Sequence, residues 1–144
     1  MKKLMLGLCA CVMLFVFTGC EKVGFKEGTY NGSATDTYGG VENTATAKVV
    51  INSEGKIESV YLDTTYEGTT KKTLGYDYNM KKYYPSAAGE WFEQVEALEK
   101  SIVENQGTNF LALVEYGITD AVSGCTIQIT ALVKAVDNAL DQAK

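Results

Sequence analysis

With 144 residues, 46% of them hydrophobic and 22% charged, the chain has the length of one ordinary domain and the composition of a folded protein. It contains no histidine and no arginine, which excludes Ser-His-Asp and Cys-His nucleophile systems and zinc sites of the usual His/Cys kind. A formal net charge of −5 argues against a nucleic-acid partner, since no basic face is available to neutralise successive phosphates.

The first residues read as a targeting segment. Met1-Lys2-Lys3 is a short basic start, Leu4 to Phe17 is almost wholly apolar, and Phe17-Thr18-Gly19-Cys20 ends the run with small residues before a cysteine. This ending resembles a bacterial lipobox, which implies removal of residues 1–19, acylation of Cys20 and an extracytosolic, membrane-anchored chain. Two or three acyl chains, at about 0.8 kcal/mol per buried CH2, make such an anchor effectively permanent. Residues 20–27 are then a lipidated tether, and 28–144 the domain. Loss of Lys2 and Lys3 takes the net charge to −7, and Cys125 is left as the only free thiol, with no disulfide available within the mature chain.

The domain opens with β patterning. Thr29, Asn31, Ser33 and Thr35 alternate with Tyr30, Gly32, Ala34 and Asp36, predicting a half-exposed strand that ends before Gly39-Gly40. Thr44 to Ile51 and Lys56 to Leu62 are rich in β-branched residues and are joined by Asn52-Ser53-Glu54-Gly55, the signature of a hairpin. Thr64 to Tyr84, dense in tyrosine and lysine and closed by Pro85, reads as a loop lying over the sheet. Trp91, Val95, Leu98 and Ile102 mark one face of a helix that starts near Ser86, with Glu93, Glu96, Glu99 and Lys100 on its solvated faces. Asn105-Gln106-Gly107 closes it. Thr108 is a candidate cap for a shorter helix over Asn109 to Tyr116, with a strand over Phe110 to Glu115 as the alternative. The last helix begins with Thr130 as N-cap and carries the stripe Leu132, Val136, Leu140 and Ala143. The expected fold class is α+β: an antiparallel sheet of three or more strands with two to three helices packed on it.

Asp120-Ala121-Val122-Ser123-Gly124-Cys125-Thr126 carries the chemistry. Gly124 permits a positive φ, consecutive N–H groups around such a turn form an anion-binding nest, and Ser123 and Thr126 add hydroxyls. Asp120 could hydrogen-bond the turn or accept a proton from a threonine. The plainer reading of the same residues is an Asx or Ser/Thr turn with nothing bound.

The segment resembles the flavinylation motif of the FMN-binding domain family, which includes the flavinylated subunits of the sodium-pumping NADH:quinone reductase and of the Rnf electron-transfer complex. That motif runs Asp, small, apolar, Ser or Thr, Gly, Ala, Thr; Asp120, Ala121, Val122, Ser123, Gly124 and Thr126 match it, and Cys125 stands where alanine is usual. Glu27 to Ser33, the hairpin and Lys72 to Lys100 extend the resemblance. It implies FMN esterified through its phosphate to Thr126 by a flavin transferase that uses FAD. The expected cofactor-binding residues are Thr126, Asp120, Ser123, Gly124 and Cys125, with no catalytic residue and no metal. The role implied is an electron carrier between an unnamed donor and acceptor, more than an enzyme. Tyr76, Tyr78, Tyr83, Tyr84 and Trp91 are candidates to stack on the flavin ring, although Trp91 reads first as core, and Met80-Lys81-Lys82 is a candidate source of charge. Readings from other classes are a cofactor-free surface lipoprotein and a peptide signal released from Val12 to Gly19.

Overall fold

The computed structural model describes residues 24–144. The predicted signal peptide, the lipidation site Cys20 and the first part of the tether lie outside the described residues. Residues 25 and 26 already belong to the domain. The Phe25 N–H bonds Gly55 O at 3.2 Å and the Lys26 N–H bonds Ala143 O at 2.7 Å, so these residues are docked along it.

Alternation of small or apolar residues with threonines builds the sheet. Strands β1 (Gly28–Tyr38), β2 (Val41–Ile51), β3 (Ile57–Tyr66) and β4 (Thr69–Thr70) lie in the order β1-β2-β3-β4, every neighbour antiparallel. The first two strands are longer than the alternation suggested, because Gly39-Gly40 is a connection and not only a break. Tyr38 pairs with Val41, and both glycines have positive φ (60° and 81°), the geometry of a two-residue type I′ hairpin whose twist matches its strands. Glu67-Gly68 repeats the device between β3 and β4, at φ 47° and 82°, at the same end of the sheet.

One sheet face is buried. Ala45, Ala47 and Val49 of β2 and Val60, Leu62 and Thr64 of β3 turn inward, while Thr29, Asn31, Ser33, Thr44, Thr46 and Lys48 remain in solvent. Two long helices cover it: α3 (Trp91–Asn105) against β3, and α4 (Thr130–Leu140) against β1 and β2. The expected stripes hold on both, with Trp91, Val95, Leu98 and Ile102 on one and Leu132, Val136, Leu140 and Ala143 along the other and its continuation, all buried. The approach of α4 is very close. A Cβ built on Gly32 falls 2.0 Å from Ala135 O and 2.6 Å from Ala139 N, so only glycine fits there.

Beside β3, α3 also closes an open edge. Gln106 exchanges two hydrogen bonds with the Ile57 backbone (2.8 and 2.9 Å), and a Glu99 carboxylate oxygen accepts the Leu62 N–H. Glu99 therefore does not belong to a solvated face. It is paired with Lys72, both side chains being nearly buried, and desolvation pushes its carboxyl up against the lowering effect of Lys72 and the Leu62 N–H.

Three local expectations are corrected. Helix α3 starts at Trp91, not near Ser86. Pro85 and Gly89 break the preceding chain, and the Glu93 carboxylate caps the Glu90 N–H at 2.7 Å. The stretch expected as a loop over the sheet contains the end of β3, β4 and two single-turn helices, α1 (Lys71–Leu74) and α2 (Met80–Tyr83), with a 3-10 turn between them. No helix forms over 109–116. Thr108 donates its hydroxyl to Asp137 instead of capping, Val114 N–H bonds Ile118 O, and Leu113 bridges Thr119, so the chain turns back at Glu115–Gly117. Leu113, Val114 and Tyr116 are exposed, so no apolar face existed to pin a helix down. Thr130, expected as N-cap, is instead the first residue of α4, following Ile129.

Candidate functional site

The segment Asp120 to Thr126 is a turn leading into α4. Cys125 N–H bonds Val122 O at 3.2 Å, with φ negative at Ser123 and +82° at Gly124, which defines a type II turn that requires its glycine. Nothing lies within 4 Å of a Cβ placed on Gly124, so conformation is what selects glycine here. Beyond the turn the chain is extended, and burial alternates. Cys125, Ile127 and Ile129 point into the core while Thr126 and Gln128 point out.

Cys125 is only 2% exposed and packs in the hydrophobic core, where burial pushes its thiol up and the Ile127 backbone hydrogen bond partly opposes this. A small apolar slot accounts for alanine or cysteine at this position, and separates the sulfur from the face that Thr126 presents. Asp120, Ser123 and Gly124 are exposed on the turn. Among the recorded hydrogen bonds of the described residues, none joins Asp120 to Thr126.

Thr126 is instead held by Gln94, 32 residues away on α3. Gln94 Oε1 accepts both the Thr126 N–H at 2.8 Å and the Thr126 hydroxyl at 3.1 Å, and its Nε2 donates to Gly89 O at 2.8 Å. Gln94 is fully buried, so its amide orientation is set by these bonds and by a longer one from Nε2 to the Met80 sulfur at 3.8 Å, with no competing water. Because the threonine hydroxyl gives its proton to Gln94, its oxygen lone pairs are left available on the other side. Sequence reasoning missed Gln94. Its signal was faint: a polar residue at position 94, adjoining the helical stripe formed by Trp91, Val95 and Leu98.

Thr126 opens onto a cavity of about 790 Å³ at the end of the sheet that carries both type I′ turns. The hairpin tips contribute Tyr38, Val41 and Tyr66, the segment before α3 contributes Lys71, Tyr78, Met80, Tyr83 and Tyr84, and Trp91, Ile127 and Leu132 form the apolar base. Of the residues singled out from the motif, only Thr126 lines it. Among the aromatic candidates Tyr78, Tyr83, Tyr84 and Trp91 do so, while Tyr76 packs edge-on against Phe92, with ring centroids 5.1 Å apart. Met80 lines the cavity, whereas the exposed Lys81 and Lys82 are absent from its lining. Met80 and Lys81 N–H groups are held by the Glu90 carboxylate (2.7 and 3.3 Å), which fixes α2 at the cavity wall.

This arrangement defines an α+β binding domain for a large, flat, partly apolar ligand, with a volume inside the usual range of roughly 300–1,000 Å³ for small-molecule sites. The chain belongs to the FMN-binding domain family: the model of the family described as FMN-binding domain matches residues 40–141. It is a flavoprotein with FMN as its cofactor. A comparison with characterised proteins and one with solved structures each returned no match. The cavity residues fit that cofactor. Tyrosine and tryptophan rings suit an isoalloxazine, and the Thr126 hydroxyl held by Gln94 opens onto the same cavity.

Proposed function

We propose that this domain is an electron carrier with FMN attached covalently to Thr126, displayed outside the cytoplasmic membrane on a lipid anchor at Cys20. The observation that carries the reading is the Thr126 hydroxyl, at the end of the turn that resembles the flavinylation motif, fixed by Gln94 and facing an aromatic cavity.

That geometry supports attachment at this hydroxyl. In the transferase reaction the Thr126 oxygen attacks the phosphorus of FAD on the riboflavin side. An Oγ–P bond forms, the pyrophosphate P–O bond breaks, AMP leaves, and the hydroxyl proton passes to the transferase. FMN would supply reversible electron acceptance when bound; of the residues that line the cavity, Thr126 would hold the phosphate end, Tyr78, Tyr83, Tyr84 and Trp91 would contact the ring, and Ile127 and Leu132 would exclude water. The redox donor and acceptor are partners of the displayed domain. The net charge of −7 for the processed chain suits a soluble domain beside an anionic membrane surface.

The test is co-expression of residues 20–144 with a flavin transferase, followed by intact mass and in-gel flavin fluorescence. The expected result is addition of one FMN to the wild type and none to Thr126→Ala. An unlabelled wild type, beside a transferase active on another target, refutes covalent attachment; label persisting in Thr126→Ala moves the acceptor, with Ser123 and Thr130 the next hydroxyls to examine.

A further inference from the structure

Two consecutive lysines on α1 meet opposite fates. Lys72 lies over the Tyr61 ring at 4.1 Å and is paired with Glu99. Lys71 is equally withdrawn from water, at 8% exposure, yet no carboxylate lies within 4.0 Å of its ammonium and no hydrogen-bond acceptor is recorded for it among the described residues. Its neighbours are aromatic faces, Tyr78 with the ammonium 5.2 Å from the ring centroid and Trp91 with it at 5.1 Å, and its side chain lines the cavity. Little of the side chain meets water, and its ammonium, reaching the cavity, has no counter-ion there; cation–π contacts offset only about 1–2 kcal/mol each of the cost of this partial desolvation. Desolvation accordingly pushes the Lys71 ammonium down, while the more distant carboxylates of Asp36 and Asp63 pull it back up. Single-turn α1 holds it there, its N-cap Thr70 accepting the Thr73 N–H.

We propose that Lys71 is the resident counter-charge of the cavity, placed to pair the negative charge that a flavin ring acquires on reduction. The inference rests on the flavin reading above and adds the residue that sets the ring's preference between its two states. Two electrons from a reductant and one proton convert a neutral ring into a monoanion. That single negative charge is the partner Lys71 lacks in the protein alone. Lys71 is a positioning and tuning residue here, with the phosphate end of the cofactor held elsewhere at Thr126.

The experiment uses flavinylated chain 20–144 as wild type, Lys71→Met and Lys71→Arg, each verified by intact mass, with midpoint potentials from anaerobic dithionite titration followed by absorbance. Lys71→Met is expected to lose tenfold or more of the preference for the reduced anion, a potential lower by about 30 mV for a two-electron couple. Lys71→Arg, which keeps the charge, is expected to stay near the wild type. Circular dichroism of each variant reports folding, and removing a partly desolvated charge should leave the methionine variant at least as stable. An unchanged potential in labelled Lys71→Met overturns the proposal, as does an equal drop in Lys71→Arg, which would assign the effect to packing. A wild type that takes no label, beside a transferase active on another target, overturns covalent attachment at Thr126 instead, and the present inference with it.

Discussion

Gln94→Leu tests the link between fold and site most directly. Leucine matches glutamine closely in size but removes every hydrogen bond that the buried amide makes, to the Thr126 N–H, the Thr126 hydroxyl, Gly89 O and, at 3.8 Å, the Met80 sulfur. The Thr126 hydroxyl is at an exposed residue and can rehydrate, so the loss falls mainly on the Thr126 N–H and the Gly89 carbonyl. At about 1–3 kcal/mol for each unsatisfied group, the domain is expected to lose roughly 2–6 kcal/mol. At roughly 4 °C per kcal/mol for a domain of this size, the melting temperature falls by about 8–24 °C. Flavin attachment, assayed well below that temperature, is expected to slow about 10-fold or more because the nucleophile is no longer oriented. Gln94→Glu separates orientation from stability. Its carboxylate still accepts both Thr126 hydrogens but cannot donate to Gly89 O. Thermal denaturation by circular dichroism and time-resolved intact mass read both effects. A leucine variant that melts with the wild type and accepts flavin at the same rate would refute the clamp.

Three further outcomes follow from the packing. Gly32→Ala places a methyl 2.0 Å from Ala135 O, a backbone atom that can move only with α4, so a loss of about 3 kcal/mol or more is expected in denaturant unfolding. Cys125 should resist thiol reagents in the folded state and react on unfolding, and Cys125→Ala should cost less than about 1.5 kcal/mol, since it removes a single buried sulfur atom. Tyr78, with its hydroxyl pushed up to about 12, chiefly by desolvation and then by Tyr66, Tyr38, Tyr84 and Asp36, should be a late-titrating tyrosine by phenolate absorbance. Its folded pKa lies above the unfolded value of 10.0, so its contribution is complete below that pH and is lost as pH rises towards 12. Discounted for its half-exposed position, this amounts to about 1 kcal/mol, and Tyr78→Phe should remove it from the alkaline stability profile.

Much of the fold was legible in the sequence because it rests on local periodicity. The two-residue alternation of Thr29 to Asp36 and the four-three-four spacing of Trp91, Val95, Leu98 and Ile102 each mark a buried face, and both faces are where the pattern put them. The reading failed at 109–116, where Thr108 and Gly117 look like helix punctuation. Tertiary partners claim them instead: Asp137 takes the Thr108 hydroxyl, and the Ile129 N–H takes Gly117 O. Glu99 was misplaced for the same reason, its helical position being compatible with solvent until β3 and Lys72 are brought beside it.

The sequence by itself determined the chemistry on offer: no histidine, no arginine, one thiol in the domain, and a turn whose glycine and threonine match a flavinylation motif. Tertiary structure decided which residues meet. It sent Cys125 into the core and Thr126 to the cavity, because the chain after Gly124 is extended and adjacent side chains then face opposite ways. It also brought Gln94 to Thr126 and left Lys71 without a carboxylate partner while pairing Lys72. These outcomes depend on contacts between segments 27 to 32 residues apart, and no local pattern records the distance between two side chains that only folding brings together.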